Sequence, residues 1–507
     1  MRVSIVLRYL TSLVLLYVSC VTFGTAAASA QASPAPRATA APSPFAYAGY
    51  VRSYYFTRQN ASAGVNFANQ AAWSTALNLY GAYDLSHSGF SLGATYLYAN
   101  PLGRCTAAVS HLSPPCGKLR PPALNPDDTL PAFELSTLYE AYVQYRGGRT
   151  FARLGDQVID TPFANGSDSR LKPAAFQGGY LSYRLSAHWT GAAAYVTRFE
   201  SRAASAFERS TLLTSHPADA PGVPGNTYAP GGGPIATSGF GYARFGYADA
   251  GFAAGLHYYA MADIANLLWF QGRYAWEHAG SKPFLAVQIG GERSMGTAVL
   301  GKIAATAYGV QAGFSPARGV TLTLGYDDVP AKSDAIALPA GVSCGANAQI
   351  SVKPGTSFAY FLPAGGTPNC TNDGNGTVTV YYGGIASPYT DSYATDPLFT
   401  TSMTQGMVDR RSPGRGVKVA LAFASAGERF KGSVSQAYYT YGETALGTSP
   451  TRETDVDALY YFNRVGKGRY RGLLFHERYG ERTQSNTHLY GGSPLFKYSR
   501  TQIEYDF

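Results

Sequence analysis

The sequence predicts an all-β fold, a transmembrane antiparallel β-barrel, from its composition, its residue alternation and its loop lengths. Only 14% of the 507 residues are charged, 14% are aromatic, and the chain contains 57 glycines and 39 tyrosines. Soluble domains carry about 25% charged residues, and disordered chains have few aromatic ones. Glycine and proline weaken helices, and beyond the N-terminus no clean run of roughly 20 apolar residues predicts a transmembrane helix.

The N-terminus has the features of an export signal. Arg2 and Arg8 flank the start of an apolar stretch, and residues 28–30 (ASA) form a small-residue cleavage site. We therefore expect residues 1–30 to be a secretory signal peptide. The next residues, 31–44, are rich in proline and alanine and carry no core-forming pattern, which predicts a periplasmic leader.

Period-two alternation of residue types predicts strands from residue 45 to the end of the chain. In the last segment Ile503, Tyr505 and Phe507 fall on one face, and the charged residues fall on the other. Aliphatic residues with aromatic ends on one face, and Gly, Ser, Gln and charged residues on the other, are typical of a lipid-facing band around a polar lumen. The eighteen predicted strands lie near residues 45–59, 70–84, 89–101, 134–146, 149–159, 177–186, 188–200, 239–249, 251–262, 267–278, 283–294, 304–315, 319–327, 416–425, 429–442, 453–463, 470–481 and 496–507.

The connections between these strands alternate in length. Every second connection is a tight turn, and the intervening ones are usually longer. Short periplasmic turns and long external loops give this alternation in bacterial outer-membrane barrels, whereas a soluble sandwich has no reason for it. We therefore predict a barrel domain over residues 45–507 in the bacterial outer membrane. The long connections are 102–133, 160–176, 201–238 and 328–415, and the last is expected to be a large external insert.

The four cysteines beyond the predicted signal peptide suggest disulfides, since an even number in an exported chain usually pairs. Their spacing makes Cys105–Cys116 and Cys344–Cys370 the natural local pairs. A metal site is the alternative, but it would require closely spaced cysteines with nearby histidines.

Several segments, in order along residues 134–507, resemble the OprD family of outer-membrane porins. The most specific is a strand that ends in G-D-Q, followed by a loop with the pattern D-S-R-L-x-P-x-x-F-x-G. Two further segments are similar to the family's central hairpin and penultimate strand. The segments are 155–157 (GDQ), 168–173 (DSRLKP), 176–178 (FQG), 256–260 (LHYYA) and 471–473 (RGL).

The resemblance implies an eighteen-stranded channel for small solutes that often carry a carboxylate, present as a monomer or a loose homotrimer. It also implies that the third external loop folds into the lumen as a constriction loop near residues 160–176. Asp168, Arg170 and Lys172 match the signature and would occupy this loop. Two roles are open for Arg170, contact with the solute and pinning of the loop, whereas pinning is favoured for Asp168.

The resemblance further implies a row of lumen-facing basic residues, a basic ladder that conducts the carboxylate. We take as its members the basic residues that lie on the polar face of each predicted strand. A charge that faced lipid at mid-depth would cost on the order of 2–4 kcal/mol, so these residues are expected to face the lumen. Removal of the signal peptide changes the formal net charge from +9 to +7, so we expect a preference for anions. The alternative is a lumen of mutually neutralising charges, since several acidic residues also point inward. The ladder candidates are Arg184, Arg198, Arg244, Arg273, Lys418, Lys431 and Arg478, and Arg153 and Arg500 share their parity.

The last residue, Phe507, resembles the assembly signal of outer-membrane proteins and predicts recognition by the barrel-assembly machinery. The alternative function is an outer-membrane barrel with an enzymatic or structural role. The eight histidines are scattered and none lies in a recognisable nucleophile or base motif, so no catalytic residue is predicted. We expect no cofactor, no metal site and no nucleic-acid partner, only a solute in transit and outer-membrane lipid.

Overall fold

A computed structural model gives the fold of the chain. Among the residues it describes, no helix is long and apolar enough to cross a membrane. The predicted signal peptide, residues 31–43 of the predicted leader, and Asp168 lie outside the described residues. The structure describes residues 44–59, 69–85, 88–102, 130, 134–166, 170–214, 235–278, 280–346, 348–353, 358–363, 367–390, 396–442, 449–462, 472–484 and 495–507.

The described residues form 25 strands. They are β1 (Phe45–Gln59), β2 (Asn69–Asp84), β3 (Phe90–Pro101), β4 (Leu135–Gly147), β5 (Thr150–Gln157), β6 (Asp160–Thr161), β7 (Ala164–Asn165), β8 (Ala175–Arg184), β9 (Trp189–Glu200), β10 (Phe240–Ala248), β11 (Phe252–Met261), β12 (Ala265–Ala275), β13 (Phe284–Ser294), β14 (Ala304–Ala317), β15 (Val320–Val329), β16 (Lys332–Ala337), β17 (Val342–Cys344), β18 (Ile350–Val352), β19 (Cys370–Gly374), β20 (Thr377–Tyr382), β21 (Gly414–Ala424), β22 (Phe430–Tyr441), β23 (Ser449–Tyr461), β24 (Gly472–Gln484) and β25 (Leu495–Asp506).

Eighteen of these strands pair side by side in one antiparallel sheet that closes into a barrel. β5 pairs with β8 and β15 pairs with β21, so the strands between them lie outside the barrel wall. The first and last strands, β1 and β25, pair with each other and complete the ring. The backbones of Gly49 and Phe507 exchange two hydrogen bonds at 3.1 and 3.0 Å at this closure. The prediction of an eighteen-stranded antiparallel barrel is confirmed.

Alternation gives the barrel wall two different faces. The outward face presents large apolar side chains, such as Leu154 and Leu324, which are 67% and 54% exposed. The inward face buries large side chains, including Trp269 and Tyr54. A continuous apolar surface of this size around a barrel is the lipid-contacting band of a membrane protein.

A small sheet is built from the connection between β15 and β21. β20 pairs with β16 on one side and with β19 on the other. The predicted Cys344–Cys370 disulfide is confirmed and joins β17 to β19, with the two Cα atoms 6.0 Å apart. Lys302, between β13 and β14, donates to Asp334 of β16 at 2.5 Å and ties the sheet to the barrel. The predicted Cys105–Cys116 pair lies outside the described residues.

Candidate functional site: the lumen of the barrel

The described residues of the connection between β5 and β8, 158–166 and 170–174, reach from one wall of the lumen to the other. At one end the carbonyl of Arg170 accepts a hydrogen bond from Arg52 Nη1 of β1 at 2.5 Å. At the other end the ring of Phe163 packs on Trp269 of β12, with the centroids 5.1 Å apart. β1 and β12 lie on opposite sides of the eighteen-stranded ring. This segment therefore crosses the lumen and is called the constriction loop below.

The signature residues next to the constriction loop act through backbone geometry and a hydrogen bond to the backbone. Gly155 has a φ of +126°, and a Cβ there would lie 2.3 Å from the carbonyl oxygen of Ala141, so only glycine fits. Gln157 is buried and donates to the carbonyl of Gly178 at 2.9 Å. A Cβ at Gly178 would lie 2.1 Å from the carbonyl of Tyr195. These residues fix where the strands end and the loop begins.

Lys172 anchors the constriction loop to β9. Its Nζ lies 2.8 Å from Glu200 Oε1, and the two side chains are 0% and 1% exposed. The same ammonium donates to the carbonyl of Ser201 at 2.7 Å, and Thr137 donates to Glu200 at 2.9 Å. A buried pair of this kind needs every such hydrogen bond to offset its desolvation. Lys172 is therefore a structural anchor that is out of contact with the water in the lumen.

Arg170 is also buried, at 4% exposure. Its guanidinium lies over the ring of Phe56 at 5.2 Å and over that of Tyr54 at 5.9 Å. Arg52, which binds its carbonyl, forms an ion pair with Glu504 on β25. Of the two roles left open for Arg170, this geometry favours pinning of the loop. The sequence pattern did not identify Arg52 as a lumen residue. β1 carries tyrosines on both faces, so the alternation of apolar and polar residues is weak there.

Six of the seven ladder candidates face the lumen. Arg244 pairs in register with the buried His257, Arg273 lies 4.2 Å from the ring of the inward Phe284, and Arg478 forms an ion pair with Asp457 at 2.9 Å. Lys431 pairs with Glu428 in the adjoining tight turn at 3.2 Å. Their role as a ladder stays a prediction. The six residues are Arg184, Arg244, Arg273, Lys418, Lys431 and Arg478.

Arg198 does not share this face. The register between β8 and β9 shifts at Thr197, so that Gln177 pairs with Arg198. Gln177 donates to Asp156 at 2.9 Å, and Asp156 lies on the same face as the exposed Leu154. The expectation that Arg198 points into the lumen is therefore wrong, because a β-bulge inserts one residue and reverses the alternation that follows it.

Part of the connection between β15 and β21 also folds into the lumen. Residues 384–390 and 396–413, called the inward segment below, are largely buried. Tyr389 forms a parallel bridge with Ala164 of the constriction loop. Lys418 of the barrel wall donates to the carbonyl of Thr401 at 2.5 Å. The expectation that the insert near 328–415 is external as a whole is therefore wrong for the inward segment.

Acidic side chains of the wall hold the inward segment by its backbone. Four carboxylates accept hydrogen bonds from four backbone amides, and all four side chains are buried. Each of these carboxylates therefore binds the backbone of the inward segment and is shielded by it from the aqueous path. The pairs are Ala386 N–Glu292 at 2.7 Å, Thr400 N–Asp327 at 2.6 Å, Met403 N–Asp455 at 3.3 Å and Thr404 N–Glu453 at 2.8 Å.

Asp396 is a buried carboxyl group of the inward segment. Its carboxylate accepts hydrogen bonds from Leu398 N at 2.9 Å and Thr401 Oγ1 at 2.6 Å. Burial, with the nearby carboxylates of Asp327 and Asp409, raises the pKa of Asp396 from 3.8 to about 7. Because this pKa is higher in the folded segment than in a released one, the stability it contributes is complete below pH 3.8 and is lost as the pH rises through about 7.

We expect the open-channel current noise and mean conductance to rise between about pH 4 and pH 7, as the inward segment loosens. Planar-bilayer recordings across this range, with identical salt on both sides, measure the change. The Asp396→Asn variant keeps the shape of the side chain but cannot ionise, so its response to pH should be smaller than that of the unmodified channel. An unchanged pH response in Asp396→Asn would assign the effect to another group.

Comparison with solved structures identifies proteins that share this fold. Three solved structures share the fold: OccK9 (OpdG) and OpdK with vanillate from Pseudomonas aeruginosa, and a BenF-like porin from Pseudomonas fluorescens Pf-5. Their TM-scores are 0.61, 0.60 and 0.64, at 15%, 14% and 12% identity, and each alignment covers 91% of this chain and 98% of the other. A comparison with curated protein sequences finds no match.

The family itself is shown by a match at the level of sequence. The family model described as "outer membrane porin, OprD family" matches residues 46–341, which is more than half of the chain. The matched range includes the signature residues and the constriction loop described above. The protein therefore belongs to the OprD family of outer-membrane porins, and it is a passive channel of the bacterial outer membrane and not an enzyme.

Proposed function

We propose that this porin conducts small anionic solutes, with a preference for those that carry a carboxylate. The observation that carries the proposal is that basic side chains of the barrel wall face the lumen and stay exposed there. The acidic residues Glu292, Asp327 and Glu453 are 0% exposed beneath the inward segment. Basic residues such as Arg184 and Arg244 remain exposed on the wall formed by β8, β9 and β10. The water in this part of the lumen therefore meets positive charge.

A basic wall of this kind selects solutes by the sign of their charge. Charges that line a narrow aqueous path replace part of the hydration of a passing ion, and they must bind it weakly enough for release. Low-dielectric walls focus the field along the path. The structure of OpdK was determined with vanillate, a carboxylate, which supports the same solute class for a barrel of the same fold.

Reversal potentials test this proposal. Under a salt gradient at neutral pH the reconstituted channel should favour anions, and benzoate should reduce the chloride current more than glucose does. A cation preference would overturn the proposal. Replacing the exposed Arg244 by glutamine should lower the anion preference about fivefold, because a charge pair in a water-filled space is worth roughly 1 kcal/mol.

The bulge in β9 supplies a matched control. Arg198→Gln removes the same charge from the outward face, so we expect the ion preference to remain that of the unmodified channel. An equal effect of Arg198→Gln and Arg244→Gln would mean that net charge, and not the charge along the path, sets the preference.

We propose that the barrel-assembly machinery recognises the chain through Phe507, and that each chain forms one pore, as a monomer or within a loose homotrimer. The backbone of Phe507 pairs with Gly49 across the closure of the barrel. Its ring covers Gly49, where an added Cβ would lie 2.6 Å from that ring. Recognition of the ring would bring the closing strand to the machinery before the strand pairs with β1.

The Phe507→Ala variant should assemble more slowly and accumulate unfolded in the periplasm, whereas Phe507→Tyr should assemble normally. Pulse-chase labelling with a heat-modifiability gel, which separates folded from unfolded barrels, measures the rate. Equal assembly rates for the Ala variant and the unmodified chain would contradict the proposal.

A further inference from the structure

Basic side chains on the outward face of the barrel lie at one end of the strands only. The end at which the large insert joins β15 to β21 is the external one, because bacterial barrels carry their long loops there. Within the described residues of the eighteen barrel strands, every outward-facing arginine or lysine is among the four residues nearest that end. The outward face is therefore basic at the level of the headgroups of the outer leaflet. These residues are Arg198, Arg293, Arg415, Arg452 and Lys497.

Arg293 of β13 is exposed, and among the described residues it has no ion-pair partner. It follows the fully buried Glu292, so the alternation turns Arg293 outward, onto the face of Ile289, which is 47% exposed. Arg415, at the same end of the barrel, differs because it pairs with Asp328 at 3.2 Å. The guanidinium of Arg293 is therefore open to an anion from outside the chain.

Asn266 of β12 lies directly opposite Arg293 in the strand register and provides a second donor. Residues opposite each other on one face of an antiparallel pair have their Cβ atoms about 4.5–5.5 Å apart. Asn266 Oδ1 accepts a hydrogen bond from the Tyr258 hydroxyl of β11 at 2.8 Å, which fixes the side-chain amide with its NH₂ group turned away from Tyr258. The NH₂ group and the guanidinium therefore form a surface made of hydrogen-bond donors.

The acidic groups near this surface already have partners within the chain. Asp263, in the turn between β11 and β12, accepts hydrogen bonds from the amide and the hydroxyl of Thr297 at 3.1 and 3.2 Å. Glu292 points inward and accepts from Ala386 N at 2.7 Å. The outward residues described for β11, β12, β13 and β14 include neither aspartate nor glutamate. The charge that this surface offers to the membrane is therefore positive.

An apolar groove begins on the membrane side of Arg293. Gly291, the next outward residue of β13, has no side chain, and the nearest atom to a Cβ built on it is the carbonyl oxygen of Ala305, 3.9 Å away. Leu268 of β12 pairs with Gly291 and is 50% exposed, and Ile289 continues the groove along β13. Exposed aliphatic residues on this face of a barrel contact lipid tails. The surface therefore joins a cationic end to an open apolar groove.

We propose that Arg293 and Asn266 bind the phosphate group of a lipid of the outer leaflet, with one of its tails along Gly291 and Ile289. Arginine binds phosphate through charge-assisted hydrogen bonds that are often bidentate, and the amide of Asn266 adds a neutral donor. A phosphorylated lipid carries an anion at the level of the headgroups and aliphatic chains below it, which matches the two parts of this surface. The inference requires the membrane location given by the family, but it does not depend on which solute passes.

Titration with a phosphorylated lipid tests the inference. The unmodified chain in mild detergent is titrated with dipalmitoyl phosphatidate, which has a phosphate and two tails, and the bound lipid is counted by native mass spectrometry. Dipalmitoylglycerol has the tails without the phosphate, and inorganic phosphate has no tails. We expect phosphatidate to bind with a lower dissociation constant than dipalmitoylglycerol, and an equal concentration of inorganic phosphate to displace little of it.

Three variants assign the binding to this surface. Arg293→Gln should raise the dissociation constant of phosphatidate roughly tenfold, the usual effect of losing a hydrogen bond to a charged group. Tyr258→Phe releases the amide of Asn266 and should raise it roughly threefold, as expected for a neutral hydrogen bond. Arg318→Gln is the matched control, because it removes the same charge from an exposed arginine in the turn between β14 and β15, at the periplasmic end. It should leave the dissociation constant unchanged.

Four results would overturn the inference: equal binding of phosphatidate and dipalmitoylglycerol, displacement of phosphatidate by an equal concentration of inorganic phosphate, an unchanged dissociation constant in Arg293→Gln, or an equal effect of Arg318→Gln. A heat-modifiability gel confirms that each variant is a folded barrel. Single-channel recordings keep this test separate from the proposed function. Arg293 and Asn266 face away from the lumen, so Arg293→Gln should keep the conductance and ion preference of the unmodified channel.

Discussion

Replacement of residues 396–412 by a short Gly/Ser linker is expected to increase the conductance severalfold and to abolish the anion preference. These residues occupy part of the lumen and cover Asp327, Glu453 and Asp455. Without them the path widens, and three carboxylates meet the water. Single-channel conductance measures the first effect, and the reversal potential under a salt gradient measures the second.

A second variant separates the steric effect from the electrostatic one. The same replacement combined with Glu453→Gln and Asp455→Asn should keep the larger conductance while restoring much of the anion preference, since two of the newly exposed charges are gone. An unchanged conductance in both variants would mean that the solute path lies elsewhere in the barrel.

Lys172→Met is expected to release the constriction loop. The substitution leaves Glu200 buried without its cation, and removal of one partner of a buried ion pair typically costs about 3–5 kcal/mol. The loop can relieve this cost by leaving its site, which lets water reach the carboxylate. We expect larger and noisier single-channel currents, together with a lower midpoint in urea-driven unfolding of the reconstituted barrel.

The double variant Lys172→Met with Glu200→Leu is the control for this prediction. It replaces the pair by apolar side chains, and such exchanges are often neutral or stabilising. Quiet currents and a nearly normal midpoint should therefore return, although Thr137 loses its acceptor. If the single variant behaves like the unmodified channel, Lys172 does not hold the loop.

The architecture of the barrel could be predicted from the sequence because it depends on a short-range pattern. Alternation with period two assigns one face to lipid and the other to the lumen, and the C-terminal segment shows it in eight residues. The count of alternating segments then gives the number of strands, and the alternation of loop lengths distinguishes an outer-membrane barrel from a soluble sandwich. The confirmed family membership adds the crossing of the lumen by the constriction loop, which no local pattern of its described residues indicates.

The contents of the lumen could be predicted only in part. Parity places Arg244 and Arg273 on the inward face, but it fails at Arg198, where one extra residue in β9 reverses the alternation. The inward segment has neither alternation nor helical periodicity. Its position depends on contacts between distant parts of the chain, such as Lys418 with Thr401, and a pattern read along the sequence cannot contain them.

Acidic side chains of the barrel wall hold the inward segment by its backbone. This arrangement bears on how the channel can change during evolution. Glu292, Asp327, Glu453 and Asp455 bind main-chain amides, which every residue except proline provides. Substitutions in the inward segment therefore leave its attachment intact while they alter the side chains that a solute meets. The barrel can acquire new solute preferences by substitutions in this one segment, without any compensating change in its wall.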